Sequence, residues 1–426
     1  MRTLIAKSRV IDPASGLDEP RDILIEDGRI LDLVRPGEKV ADVAERIDAK
    51  GCIATPGFVD LHVHLREPGY EQKETIATGC MAAVSGGFTS VCSMANTNPV
   101  NDHSSVTALI LAKAKEADLA RVYPMAAVTK GLAGESLTEM GELYEHGVIG
   151  FTDDGRCVMN AAVMRNALVY ANSFGVPVSV HAIDEHLAGD APMNSGFHSM
   201  RLGLRGVPAA AEDTMVARDV VLSALTGARL HIQHISTKGA IEIVRMAKAR
   251  GVPVTCEAAP HHFMLIDEDV GEYDTNFKMA PPLRGVDDRE AVREALADGT
   301  IDAIATDHAP HEKLVKDCEF EKAANGIIGL ETAFSLTWEL VEAGVISEMR
   351  AIELLTVAPC KAFNLPHGTL TKGALADITI FDPKATYTFT TDRIYSLSKN
   401  SPFIGRAMKA DVKRTLVGGR TVFARD

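Results

Sequence analysis

Cysteine is scarce and unpatterned in this chain. The seven present (Cys52, Cys80, Cys92, Cys157, Cys256, Cys318 and Cys360) are odd in number and include no C-x-x-C pair, which excludes a disulfide framework and a thiolate zinc knot. Buried reduced thiols are expected, with Cys157 singled out only because it follows an acidic turn. Positive charge is also short: 44 Lys and Arg stand against 58 Asp and Glu, a formal charge of -14. That balance argues against nucleic acid or an anionic membrane as the main partner. No apolar run approaches the roughly 18 residues of a membrane span, and the basic start Met1-Arg2-Thr3-Leu4 has no extended apolar region behind it. The expectation is a cytoplasmic protein acting on a small molecule.

Several familiar chemistries are missing as well. There is no G-x-x-x-x-G-K-[ST] phosphate loop, no G-x-G-x-x-G after a strand and no G-x-S-x-G nucleophile elbow. Gly86-Gly87 and Gly329 read as tight-turn residues instead. No short repeat, low-complexity tract or Ser/Pro-rich linker divides the chain.

What is present is a regular alternation of short apolar runs and amphipathic stretches, the pattern of βα units around a parallel sheet. The candidate strands are residues 58–64, 89–94, 121–128, 148–152, 176–182, 229–235, 252–257 and 301–306. Eight of them favour a (β/α)8 TIM barrel over an open sheet. The flanks differ in character: residues 1–54 read as short strands with a turn at Asp27-Gly28, and residues 366–426 repeat that character around Gly418-Gly419. These two ends are expected to pair into one small discontinuous β-sandwich domain, with the catalytic barrel spanning residues 55–365.

Active residues in such a barrel come from the carboxyl ends of the strands. His62 and His64, two positions apart, leave the same face of the first strand. Asn96 follows the second strand and Asp153-Asp154 the fourth. His181 ends the fifth, His231 and His234 the sixth, His261-His262 the seventh, and Asp307-His308 with His311 the eighth. Nine of the fourteen histidines therefore collect at one rim. Imidazoles and carboxylates without thiolates suit zinc or another divalent first-row ion. Four histidines and two carboxylates exceed the needs of one ion. Two ions about 3.5 to 4 Å apart, sharing a carboxylate and a hydroxide, would perform metal-assisted hydrolysis or its reverse.

Some choices stay open on spacing alone. The three-residue offset between His231 and His234 puts them on opposite strand faces, and His234, nearer the end, is the better ligand. Asp153 and Asp154 are not separable. His261-His262 is assigned to loop structure, and His103, His146, His186, His198 and His367 to ordinary surface or loop positions. Arg66, in the loop closed by Pro68-Gly69, places a fixed positive charge beside the first two imidazoles. Gly155 to Asn160 is a candidate lid.

The stretches Val59-Asp60-Leu61-His62-Val63-His64, Thr152-Asp153-Asp154-Gly155, His181, His234-Ile235-Ser236-Thr237-Lys238 and Ala305-Thr306-Asp307-His308-Ala309-Pro310-His311 resemble the amidohydrolase superfamily. The extension Leu65-Arg66-Glu67-Pro68-Gly69 and the later Gly329-Leu330-Glu331-Thr332 resemble its type I bacterial dihydroorotases. The resemblance implies that His62, His64 and Asp307 hold one zinc ion. It implies that Asp154, with a hydroxide, bridges to a second zinc ion held by His181 and His234. Many relatives bridge with a carboxylated lysine; here the fourth strand end offers only aspartates, and Lys130 is a poor substitute.

The implied reaction is the reversible cyclisation of N-carbamoyl-L-aspartate to L-dihydroorotate in pyrimidine (UMP) biosynthesis, with the bridging hydroxide as nucleophile and Asp307 as general acid/base. Substrate contacts would come from His64, Arg66, Asn96 and His311, and from the backbone around Ala280, Asn325 and Gly326. The chain departs from the family pattern at Ala280, where Asn is common, and at Asn325, where Phe is usual. The nearest alternatives are a hydantoinase or allantoinase, and a silent subunit that scaffolds aspartate transcarbamoylase. The expected partners are further copies of the chain in a homo-oligomer, and aspartate transcarbamoylase.

Overall fold

The computed structural model describes residues 2–425. The chain opens with β1 (Arg2–Asp12), β2 (Leu17–Glu26), β3 (Arg29–Val34), β4 (Val43–Asp48) and β5 (Ile53–Pro56). Asp27 and Gly28, at φ 48° and 77°, form the two-residue turn that pairs Glu26 with Arg29. Positive φ at both central positions matches the right-handed twist of the flanking strands.

The barrel strands follow: β6 (Phe58–Val63), β7 (Phe88–Ser93), β8 (Arg121–Pro124), β9 (Phe151–Thr152) and β10 (Val178–Val180). After a small side pair, β11 (Met193–Asn194) and β12 (Gly206–Val207), come β13 (Leu230–Ile232), β14 (Val254–Ala258) and β15 (Ala303–Ile304). Strands β6-β7-β8 form one parallel group, and β9-β10-β13-β14-β15 another. Parallel bridges Ala126–Phe151 and Val63–His308 join the groups and close the ring. Each expected strand is present: β7 keeps six residues, shifted by one, and the others are shorter than expected. Asp60, fully buried, fastens the closing seam: its Oδ1 accepts the backbone N–H of His62 and of Thr306, each at 3.0 Å. Helices cover the outside and start on side-chain caps, such as Thr75 before Ile76–Ser85, Asn160 before Ala161–Asn172 and Thr237 before Lys238–Ala249. Gly86 ends the first of these against the barrel, where a Cβ would stand 1.9 Å from the Leu330 carbonyl oxygen. It serves close approach as well as a turn.

The chain closes with β16 (Ile378–Thr388), β17 (Ala407–Val417) and β18 (Arg420–Ala424). Because β16 pairs antiparallel with β5, both chain ends enter a single eight-stranded sheet. Ile5, Ile25 and Ile30 share a buried cluster with Ile378, Ile380 and Leu416, so the two halves face one another as a sandwich made from one folded sheet. His367 is not an ordinary surface residue. Its Nδ1 lies 3.3 Å from Asp377 and its Nε2 meets the Tyr123 hydroxyl, tying the barrel to the sheet. The connection between β16 and β17 crosses to the barrel rim, where Glu74 accepts the Leu397 N–H at 3.0 Å. Among the described residues no helix is long and apolar enough to cross a membrane.

Candidate metal centre and substrate pocket

The rim brings His62, His64, Asp154, His181, His234 and Asp307 together. His64 Nε2 lies 3.1 Å from Asp307 Oδ1 and 3.4 Å from Asp154 Oδ2. His62 Nε2 lies 3.4 Å from an oxygen of each aspartate. His234 Nε2 is 3.6 Å from Asp154 Oδ1, and His181 Nδ1 stands 3.8 Å from the same oxygen and 2.9 Å from His234 Nε2. The ligand atoms of His62, His64 and Asp307 lie within 4.8 Å of one another, as do those of His62, Asp154 and His234. His234 and Asp307 both adopt positive φ, 32° and 46°, unfavourable for residues with a Cβ. Such local strain is tolerated where surrounding structure fixes it.

These donors fit a cation. His62 Nδ1–H donates to Glu257 Oε1 at 2.8 Å, and His64 Nδ1–H to Asn96 Oδ1 at 2.9 Å. Each ring therefore turns its Nε2 lone pair toward the carboxylates, the arrangement by which outer partners prepare imidazoles for metal. A proton on Nε2 or a metal ion held there supplies the positive charge that the facing carboxylates call for. His62 Nε2 and Asp154 Oδ1 are moreover buried with no hydrogen-bond partner among the described residues. Burial resists charge on Asp154 and Asp307, but the surrounding imidazoles, His62 first, outweigh it and hold both carboxyls below their usual range.

Beside the cluster lies a cavity of about 290 Å³ lined by His64, Asn96, Ala280, Asn325 and His311, at the small end for a small-molecule site. Arg66 also lines it, half-buried and at φ 62°. Its Nε donates to the Pro310 carbonyl at 3.2 Å and its Nη2 to His311 Nε2 at 3.3 Å. Among the described residues Nη1 has no partner. Burial, then Arg66, lowers His311 to about 2, so it is a neutral ring whose proton sits on the unpartnered Nδ1. Desolvation brings Arg66 itself down to about 10, still cationic at neutral pH. The pocket thus has a guanidinium and a neutral imidazole ring side by side.

The sequence profile of the amidohydrolase family matches residues 53–422. The chain belongs to that family. Within it the chain groups with dihydroorotases: it is 54% identical to one from Anaeromyxobacter dehalogenans over 99% of this chain and 98% of the relative. It is 52% identical to one from Geobacter metallireducens over 100% of both. Among solved structures, an L-hydantoinase from Arthrobacter aurescens superposes with a TM-score of 0.88 at 23% identity, over 98% of this chain and 95% of that one. At that identity the likeness is one of fold: the amidohydrolase barrel with a β-rich domain.

The structure shows which of the residues left open by spacing face the cluster. Asp153 faces away from the cluster, its Oδ1 accepting the N–H of Val128 at 2.8 Å and of Thr129 at 3.0 Å; Asp154 faces it. His234 lies in the cluster, but His231 does not point outward. The strand ends at Ile232 and His234 lies beyond it, so the opposite-face rule does not apply; His231 faces inward, its Nε2 3.0 Å from Glu257 Oε2. His261 and His262 are not in a loop. They sit buried on the short helix Pro260–Met264, with His262 Nε2–H donating to the Pro281 carbonyl. Burial above all depresses both rings, His262 to about 4.

Lys130 is exposed and paired with Glu139, away from the cluster. The Gly155–Asn160 segment is anchored: Cys157 and Val158 are buried, and Arg218 Nη1 donates to the carbonyls of Val158 and Met159 at 2.6 and 3.1 Å. Burial pushes the Cys157 thiol up to about 12, an inert group. Gly326 stands behind the cavity, where a Cβ would approach the Ala309 oxygen and His311 Cδ2 to 2.6 Å. Glu257 is the functional residue that sequence reasoning missed. The signal was a carboxylate at a buried position of a barrel strand, held there by His62 and His231.

Proposed function

We propose that this amidohydrolase is a dihydroorotase, interconverting N-carbamoyl-L-aspartate and L-dihydroorotate for pyrimidine synthesis in the cytoplasm. Arg66 carries the reading. A half-buried guanidinium with a free edge, beside the neutral His311 ring, suits a substrate carboxylate next to a hydrolysable ring amide. Full-length identity above 50% with named dihydroorotases supports it.

His62, His64 and Asp307 would hold one zinc ion, and His181 and His234 a second, with Asp154 shared. Bound there, zinc supplies Lewis acidity toward the ring carbonyl and acidifies water. The residues do the rest. Glu257 and Asn96 fix the tautomers of His62 and His64. In hydrolysis Asp307 takes a proton at its carboxylate from the attacking water and delivers it to the leaving ring nitrogen; ring closure reverses this. Arg66, His311 and Asn96 hold the substrate carboxylate, and the backbone at Ala280, Asn325 and Gly326 borders the ring.

The test is turnover by the pure protein in both directions, before and after chelation and with zinc restored, alongside a hydantoin and allantoin. Good hydantoin turnover with none on dihydroorotate would overturn the proposal. The reading includes a homo-oligomer and association with aspartate transcarbamoylase, which light scattering of the chain alone and mixed with that enzyme would check.

A further inference from the structure

One wall of the pocket is lined by residues from three separate stretches, Met279 and Ala280, Ala309 and His311, and Asn325. Two buried side chains, neither of them lining that cavity, hold all three. Lys316, on the turn of helix Lys313–Lys316, donates from Nζ to the carbonyls of Ala324 at 2.9 Å, Gly326 at 3.0 Å and Lys278 at 3.4 Å. Asn400, from the β16–β17 connection, donates from Nδ2 to the carbonyls of Ala309 at 2.9 Å and Gly326 at 3.0 Å. Its Oδ1 accepts the His311 N–H at 2.9 Å. The Gly326 carbonyl is thus gripped by both.

Lys316 has no ion pair among the described residues, and it is 4% exposed. A buried ammonium without a carboxylate is costly. Burial, with Lys278 adding repulsion, brings it down to about 7. As an ammonium, its three N–H donors meet three carbonyls, a task no apolar side chain can perform. Asn400 brings the terminal β unit into the same job.

We propose that Lys316 and Asn400 are positioning residues that fix the substrate-facing wall, governing substrate affinity while leaving the His/Asp cluster intact. The inference rests on the dihydroorotase reading for its assay. The variants are Lys316→Met, Asn400→Ala and the double. Lys316→Met keeps the stem volume and bares only the Ala324 carbonyl, because Gly326 O keeps Asn400 and Lys278 O keeps the Gly326 N–H at 3.0 Å. Each is assayed for KM and kcat on dihydroorotate, bound zinc and thermal melting.

Each single variant is expected to raise KM by about tenfold, since small misplacements of a binding wall carry large penalties, with kcat and zinc content near wild type. The double variant should raise KM by more than the product of the singles, because only then does Gly326 O lose both donors. Unchanged KM in both singles, or loss of kcat or zinc at unchanged KM, would overturn the proposal. If one single fails to melt cooperatively, the other decides. Should the wild type ignore dihydroorotate, the functional reading fails, and the same comparison is made on whichever cyclic amide it hydrolyses.

Discussion

Replacing Arg66 by Met removes the guanidinium while keeping much of its apolar stem. In the structure Arg66 is half-buried, uses Nε and Nη2 within the protein and leaves Nη1 for substrate. Truncating one partner of a buried, hydrogen-bonded charge pair costs about 2 to 5 kcal/mol. Partial exposure places Arg66 in the lower half of that range, about 3 kcal/mol, which at 1.36 kcal/mol per decade is roughly 150-fold in kcat/KM. The variant also strips His311 Nε2 of its donor, so both halves of the carboxylate clamp suffer.

The decisive assay compares dihydroorotate with dihydrouracil, the same ring without the carboxylate. Arg66→Met should lose its activity on the first and hold it on the second to within about threefold, compressing the discrimination that electrostatic complementarity provides. Retention of dihydroorotate kcat/KM to within about fivefold would refute the argument. Equal losses on both substrates would refute it too, by showing that Arg66 acts on the fold or the cluster.

Asp307→Asn should lower kcat by on the order of 10³ as the proton carrier is lost, with circular dichroism and melting near wild type; near-normal turnover would remove its proton-transfer role. Glu257→Gln should weaken zinc binding by about 10- to 100-fold, the usual effect of disturbing a ligand's outer partner, measured by competition with a chromophoric chelator. Gly326→Ala must move the Ala309 carbonyl or the His311 ring, both 2.6 Å from the new Cβ. It should cost about 1 to 3 kcal/mol in denaturant unfolding and raise KM.

The rim cluster was legible because strand ends gather its residues. His62 and His64 share a face by alternation, and the other strand ends repeat the device around the ring. Spacing failed where the ladder stops early. His231 and His234 straddle a strand end at Ile232, so alternation no longer governs the second. Asp153 and Asp154 are neighbours past a two-residue strand, and only the N–H groups of Val128 and Thr129, supplied by another loop, separate their roles. His261-His262 followed Pro260, which can begin a helix as well as break one, and the short turn it starts carries no periodic signal. Lys316 and Asn400 had no readable pattern at all. Their partners lie in the loops at 278, 309 and 324–326, and only the closed barrel brings these together.

That division follows from how the two halves of the site are built. The cluster stands on His62 and on the residues just past the ends of the parallel strands, where the ladders fix the point at which each chain leaves the barrel. The substrate wall stands on loops, which carry no ladder and must be held by side chains reaching in from elsewhere. Arg66 leans on Pro310 and His311, His311 hangs from Asn400, and Gly326 is held between Asn400 and Lys316. Chemistry common to amidohydrolases can therefore persist on a fixed barrel while the loops change the ring and the substituent accepted. Ala280 and Asn325 line the pocket from these loops, so on the dihydroorotase reading a change there would act on substrate fit before it reached the cluster.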